Sequence, residues 1–130
     1  MNKLRVLVAD DHQDLLRALV RFLSMKFDIV GAVHDGKALI DAAVSLIPDV
    51  IVSDISMPEL SGLQAMKALN ARGYTIPFIF VTAEPALMDQ GHLSFIDKLD
   101  VHAELIPAIE TVAVGRQYIP IKTRFQTLRV

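Results

Sequence analysis

Short apolar runs that break off at a polar residue alternate along this chain with amphipathic helical stripes. Residues 4–9 stop at Asp10-Asp11, residues 50–53 at Asp54, residues 78–81 at Thr82, and residues 95–96 reach Lys98 through Asp97. Residues 28–33 form a further run, weakened by Gly31. Between the runs lie helical stripes. Leu16, Leu19, Val20 and Leu23 recur at i, i+3, i+4 and i+7. Leu39, Ala42, Ala43 and Leu46 follow, ended by Pro48. Leu63, Met66 and Leu69 close near Gly73, and Leu105, Ala108, Ile109 and Val112 close at Gly115. Strands alternating with helices imply βαβ units and a parallel sheet. Right-handed crossovers then place helices on both faces. An apolar share of 52% fits a sheet buried on both sides.

The chain has 130 residues, the size of one domain. It has no cysteine, which excludes disulfides, thiolate metal sites and cysteine catalysis. A net charge of −2 gives no field that would draw nucleic acid or anionic membrane, so neither is expected as a direct partner. No apolar run reaches the length of a membrane span. Two aspartates interrupt the N-terminal apolar stretch too early for a signal peptide, and a cytoplasmic location is the expectation. Pro107 lies inside the last helical stripe and is expected to bend that helix or delay its start. Residues 116–130 carry four basic residues and no acidic one, like a tail or linker. His12, His34, His92 and His102 show no ligand spacing and read as surface residues. The methionines read as gap fillers.

In an open parallel sheet the carboxyl ends of the strands form the ligand crevice. Asp10, Asp11, Asp54, Thr82 and Lys98 would meet there. Adjacent carboxylates suit Mg²⁺, which takes one or two protein carboxylates and keeps several waters. A strand-end aspartate can act as a nucleophile toward phosphorus. Crowded carboxylates repel one another, and a cation together with Lys98 would relieve them. Asp11 also stands where a helix N-cap would.

With these residues in order, the sequence resembles the receiver domain of two-component response regulators. The motifs are VLVADDH, DVIVSDISMPELSG, FIFVTAE and FIDK. ELIPAIETVAVGRQYI resembles the last helix of the subfamily that carries C-terminal LuxR-type helix-turn-helix output domains. The resemblance implies a flavodoxin-like (βα)5 three-layer sandwich around a five-stranded parallel sheet. Residues 1–118 would be the receiver and 119–130 a tail or the start of a linker. Asp54 would accept phosphate from a histidine kinase or phosphotransfer protein. Asp11, Asp10, Asp54 and the Ser56 carbonyl would hold Mg²⁺. Thr82 and Lys98 would bind the phosphoryl group. Phe95 would be either the aromatic switch or plain core packing, and Ser56 and Glu84 would tune phosphate lifetime. Beyond phosphorylating and slowly dephosphorylating itself, such a domain is not an enzyme.

One departure stands out. Only fifteen residues separate Thr82 from Lys98, fewer than the family usually has. The fourth helix, expected between the fourth and fifth strands, should be short or irregular, and Ala83 to Ser94 weakly anchored. Any homodimer should then use the first and last helices, where Leu15, Phe22, Ile106 and Val114 extend the apolar stripes. A phosphorylation-independent adaptor is the alternative function. An aspartate-nucleophile phosphohydrolase would need a second aspartate where Ser56 stands.

Overall fold

In the computed structural model, residues 3–84 and 93–120 are described. The strands are β1 (Arg5–Ala9), β2 (Asp28–Val33), β3 (Val50–Asp54), β4 (Phe78–Thr82) and β5 (Ser94–Asp97). The helices are α1 (Gln13–Leu23), α2 (Gly36–Leu46), α3 (Gly62–Ala71) and α4 (Val101–Ala113). All strand pairs are parallel, in the order β2-β1-β3-β4-β5. The alternation implies this parallel sheet, and the family resemblance implies its flavodoxin-like strand order. The expected helix between β4 and β5 falls on residues 85–92, outside the described residues.

Residues along each strand alternate between two apolar layers. Val6, Val8, Val50, Val52, Ile79, Val81 and Ile96 pack with α1 and α4. Leu7, Ala9, Ile51, Phe78, Phe80 and Phe95 pack with α2 and α3. Both faces of the sheet are therefore dry, which is why the strands read as continuous apolar runs. Gly31 sits at a register shift between β1 and β2. A Cβ there would come within 3.0 Å of Leu7 Cδ1. The glycine that weakens the strand in sequence thus marks a bulge with close packing.

Several local expectations change. The buried residues of α3 are Gly62, Ala65 and Leu69, while Leu63 and Met66 pack only partly. Small residues there let the helix approach the sheet. Pro107 does not delay α4, which starts at Val101. Its ring faces solvent, and the Ala103 carbonyl it leaves without a helical partner lies on an exposed residue. Leu15 and Phe22 are half-buried against the first layer. Phe22 also meets the His102 ring of α4, with centroids 4.9 Å apart. His102, exposed as expected, is part of the α1–α4 contact.

Residues 116–120 do not behave wholly as a tail. Tyr118 is 4% exposed and belongs to the first layer. Its hydroxyl donates to Glu104 Oε1 at 2.8 Å, and its amide donates to Ser94 Oγ at 3.0 Å. The Gln117 side chain donates to the Leu93 carbonyl at 3.1 Å. Glu104 is a buried acid on α4, so its bond to Tyr118 satisfies a group that would be costly without a partner.

Candidate functional site

One device recurs at four strand ends. A polar side chain takes the backbone amide two residues ahead and turns the chain off the sheet. Asp10 Oδ1 accepts from the His12 amide at 2.8 Å, and Asp54 Oδ1 from Ser56 at 3.3 Å. Thr82 Oγ1 accepts from Glu84 at 3.0 Å, and Asp97 Oδ1 from Leu99 at 3.0 Å. The first two of these ends flank the point where β1 and β3 lie side by side and the chain order reverses. That is the expected ligand position in such a sheet.

Four of the five expected side chains, Asp10, Asp11, Asp54 and Lys98, converge. Lys98, which begins the 3-10 turn Lys98–Asp100 after β5, donates from Nζ to Asp54 Oδ2 at 3.0 Å and lies 3.6 Å from Asp10 Oδ2. Asp10, Asp54 and Thr82 are buried. One donor atom from each of Asp10, Asp11, His12 and Asp54 falls within a span of 4.8 Å. Thr82 accepts from the Glu84 amide, so its own hydroxyl proton stays available to an oxygen brought into the site. The Ser56 and Glu84 side chains are exposed beside the site. Phe95 is 3% exposed and packs on Phe80 with centroids 5.6 Å apart, so it is part of the core.

The electrostatics are lopsided. Burial pushes the Asp54 carboxyl above its ordinary value. The hydrogen bond and charge of Lys98 pull it back, neighbouring Asp10 pushes it further up, and the Ser56 amide lowers it slightly. The net direction is up. Burial lowers Lys98, but its bond to Asp54 and the charges of Asp54 and Asp10 outweigh that, and the net direction is again up. One ammonium therefore faces two buried carboxylates and does not neutralise the site.

The helix-cap reading of Asp11 fails. His12 is the N-cap residue of α1 and makes no side-chain cap bond. Asp11 Oδ1 is buried and has no aligned hydrogen-bond partner. It lies 3.2 Å from His12 Nδ1, within ion-pair distance but outside hydrogen-bond geometry. An orphaned carboxylate oxygen among acidic side chains fits a hard divalent cation such as Mg²⁺. The sequence reading missed His12. It is an exposed residue whose Nδ1 also lies 3.2 Å from Asp10 Oδ1. Its place directly after the acidic pair was the only available signal.

The loop after β3 rests on two glycines. A Cβ on Gly62 would lie 2.2 Å from the Asp54 carbonyl oxygen and 2.7 Å from Ser53 Oγ. A Cβ on Gly36 would lie 2.2 Å from the Leu60 carbonyl oxygen. Ser61 and Gln64 close a capping box at the start of α3. The loop from Ile55 to Ser61 is thus clamped between two helix starts.

Residues 6–110 match the family model of the response regulator receiver domain. Curated relatives include the transcription regulator BvgA of Bordetella pertussis, 31% identical, covering 92% of this chain and 60% of that protein. The regulatory protein NarL of Mycobacterium tuberculosis is 32% identical, covering 90% of this chain and 58% of its own length. The chain therefore spans about three-fifths of these relatives. The solved signal receiver domain of the latter protein superposes with a TM-score of 0.81 at 31% identity, covering 89% of this chain and all of that one. A LuxR-family regulator from Aurantimonas shares the fold at 20% identity and a TM-score of 0.85.

Proposed function

We propose, because this chain belongs to the response regulator receiver domain family, that it is a phosphoacceptor switch carrying its phosphoryl group on Asp54. The observation that carries this reading is the contact between Asp54 and Lys98, made across 44 residues of chain. In the proposed reaction a carboxylate oxygen of Asp54 forms a P–O bond while the P–N bond of a kinase or phosphotransfer-protein phosphohistidine breaks. The leaving imidazole takes a proton. Asp10, Asp11, Asp54 and the Ser56 carbonyl would hold Mg²⁺, which when bound offsets charge on the transferring phosphoryl oxygens. Lys98 would pair with a phosphoryl oxygen and Thr82 would donate its hydroxyl proton to another. Withdrawal of Thr82 and Lys98 toward the phosphoryl group would favour an active conformer. The domain catalyses only its own phosphoryl uptake and slow loss. Any homodimer would use the outer faces of α1 and α4.

The test is labelling by acetyl phosphate with Mg²⁺, read by intact mass. The wild type should gain one phosphoryl group, and Asp54→Asn should gain none. Asp54→Asn should also be no less stable at neutral pH, because it removes a carboxylate whose ionisation burial disfavours. Undiminished labelling of Asp54→Asn, mapped to another residue, would overturn the assignment. An unlabelled wild type with unchanged association would favour the adaptor.

A further inference from the structure

The proposed reading places Mg²⁺ on carboxylates, yet the cluster holds a donor that Mg²⁺ does not favour. His12 directs Nδ1 at Asp10 Oδ1 and Asp11 Oδ1, 3.2 Å from each. We propose that His12 is a further ligand of this centre, and that through its imidazole the centre binds Co²⁺ or Ni²⁺ more tightly than Mg²⁺. The proposal rests on the reading of the acidic cluster as a cation centre.

Three observations carry it. The first is distance. Metal–donor bonds of about 2.1 Å put donors on opposite sides of an ion about 4.2 Å apart. The four donor atoms of Asp10, Asp11, His12 and Asp54 span 4.8 Å, so a small inward shift closes the set. The second is the orphaned oxygen. Asp11 Oδ1 is buried without a hydrogen-bond partner and is one of the two oxygens the imidazole faces. A metal between them would satisfy both. The third is freedom of movement. Lys98 lies against Asp54 Oδ2 and Asp10 Oδ2, whereas His12 engages Asp10 through Oδ1. His12 is 68% exposed, so its ring can adjust without disturbing the core.

Ligand chemistry sets the direction. Carboxylate and water suit Mg²⁺, while an added imidazole favours later first-row ions, whose affinity rises from Mn²⁺ toward Cu²⁺. His12 should therefore matter for Co²⁺ and Ni²⁺ and hardly at all for Mg²⁺.

The test is calorimetric titration of the whole chain with CoCl₂, NiCl₂ and MgCl₂, with visible absorption following the Co²⁺ site. The wild type should bind one Co²⁺ that excess Mg²⁺ displaces. His12→Gln should weaken Co²⁺ and Ni²⁺ by about tenfold or more and change Mg²⁺ by less than about twofold. A His34→Gln/His102→Gln control should bind both ions as the wild type does. Unchanged Co²⁺ binding in His12→Gln would overturn the proposal, as would equal loss of Mg²⁺ or loss in the control variant. Denaturation midpoints identify any variant whose loss reflects unfolding. Asp11→Asn separates this proposal from the one beneath it. If Asp11→Asn keeps both ions, the cation centre itself is misplaced. If it loses both while His12→Gln keeps both, only the role of His12 falls.

Discussion

Replacing Gly62 by alanine should damage stability and phosphoryl uptake together. The new methyl would stand 2.2 Å from the Asp54 carbonyl oxygen, against an ordinary contact of at least 3.4 Å. Relief needs a shift of more than an ångström in either the start of α3 or the Asp54 peptide. The first route pulls on the bond from the Gly62 amide to the Ile55 carbonyl, 2.8 Å long. The second breaks the 2.7 Å bond from Ser53 Oγ to the Asp54 carbonyl and strands a buried hydroxyl. Overpacking costs about 1–3 kcal/mol, and a lost hydrogen bond adds about 1 kcal/mol. Lower entropy of the unfolded chain returns less than about 1 kcal/mol. The net cost is about 1–4 kcal/mol. For a chain of this length each kcal/mol moves the melting midpoint by about 3–4 °C, so the drop should lie between about 3 and 16 °C. Thermal denaturation by circular dichroism measures it, and acetyl phosphate labelling of the folded variant should slow because Asp54 has moved. Gly73→Ala is the contrast. Its Cβ would meet nothing, and only its φ of +88° resists the change, at about 1–2 kcal/mol. A Gly62→Ala protein as stable as the wild type, or one less affected than Gly73→Ala, would refute the clamp.

Lys98→Met should cost about 1–3 kcal/mol at pH 7, because the site loses the ammonium that faces two buried carboxylates. The folded carboxyl of Asp54 is already raised, so its ionised form opposes folding at neutral pH. The deficit should shrink as pH falls through that raised value, which urea midpoints at several pH values will read. Asp11→Ala, measured without metal, should be no less stable than the wild type, since Asp11 caps no helix and its Oδ1 has no hydrogen-bond partner. A clear loss in its denaturation midpoint would restore the capping role. Tyr118→Phe should lower the urea stability by about 1 kcal/mol, the worth of its bond to buried Glu104, and should leave labelling of Asp54 intact.

Local pattern carried the five strands, the four described helices and the meeting of Asp10, Asp54 and Lys98 at the strand ends. Apolar runs such as residues 50–53 bury both faces, so their limits are written in local hydropathy. The strand that ends at Asp54 must deliver that carboxylate to the crevice, whatever the rest of the chain does. Lys98 was legible for the same reason, because position at a strand end is a local property. Which side chains touch once delivered depends on the packing of elements far apart in the chain. The basic composition of residues 116–130 groups Tyr118 with a tail, the family resemblance places it in the receiver, and only the packing shows its hydroxyl on Glu104 and its amide on Ser94. Phe22 extends an apolar stripe in the sequence, and only the crossing of α1 and α4 sets its ring against His102. His12 looked like a surface histidine, and it is exposed, but the turn built on the Asp10 carboxylate folds its ring back over the acidic pair. The electrostatic lopsidedness was equally hidden, because it depends on burial and on distances between strands. Periodicity reports which face a residue takes. The partner it finds depends on the angle and depth at which distant elements pack, and no local pattern encodes those.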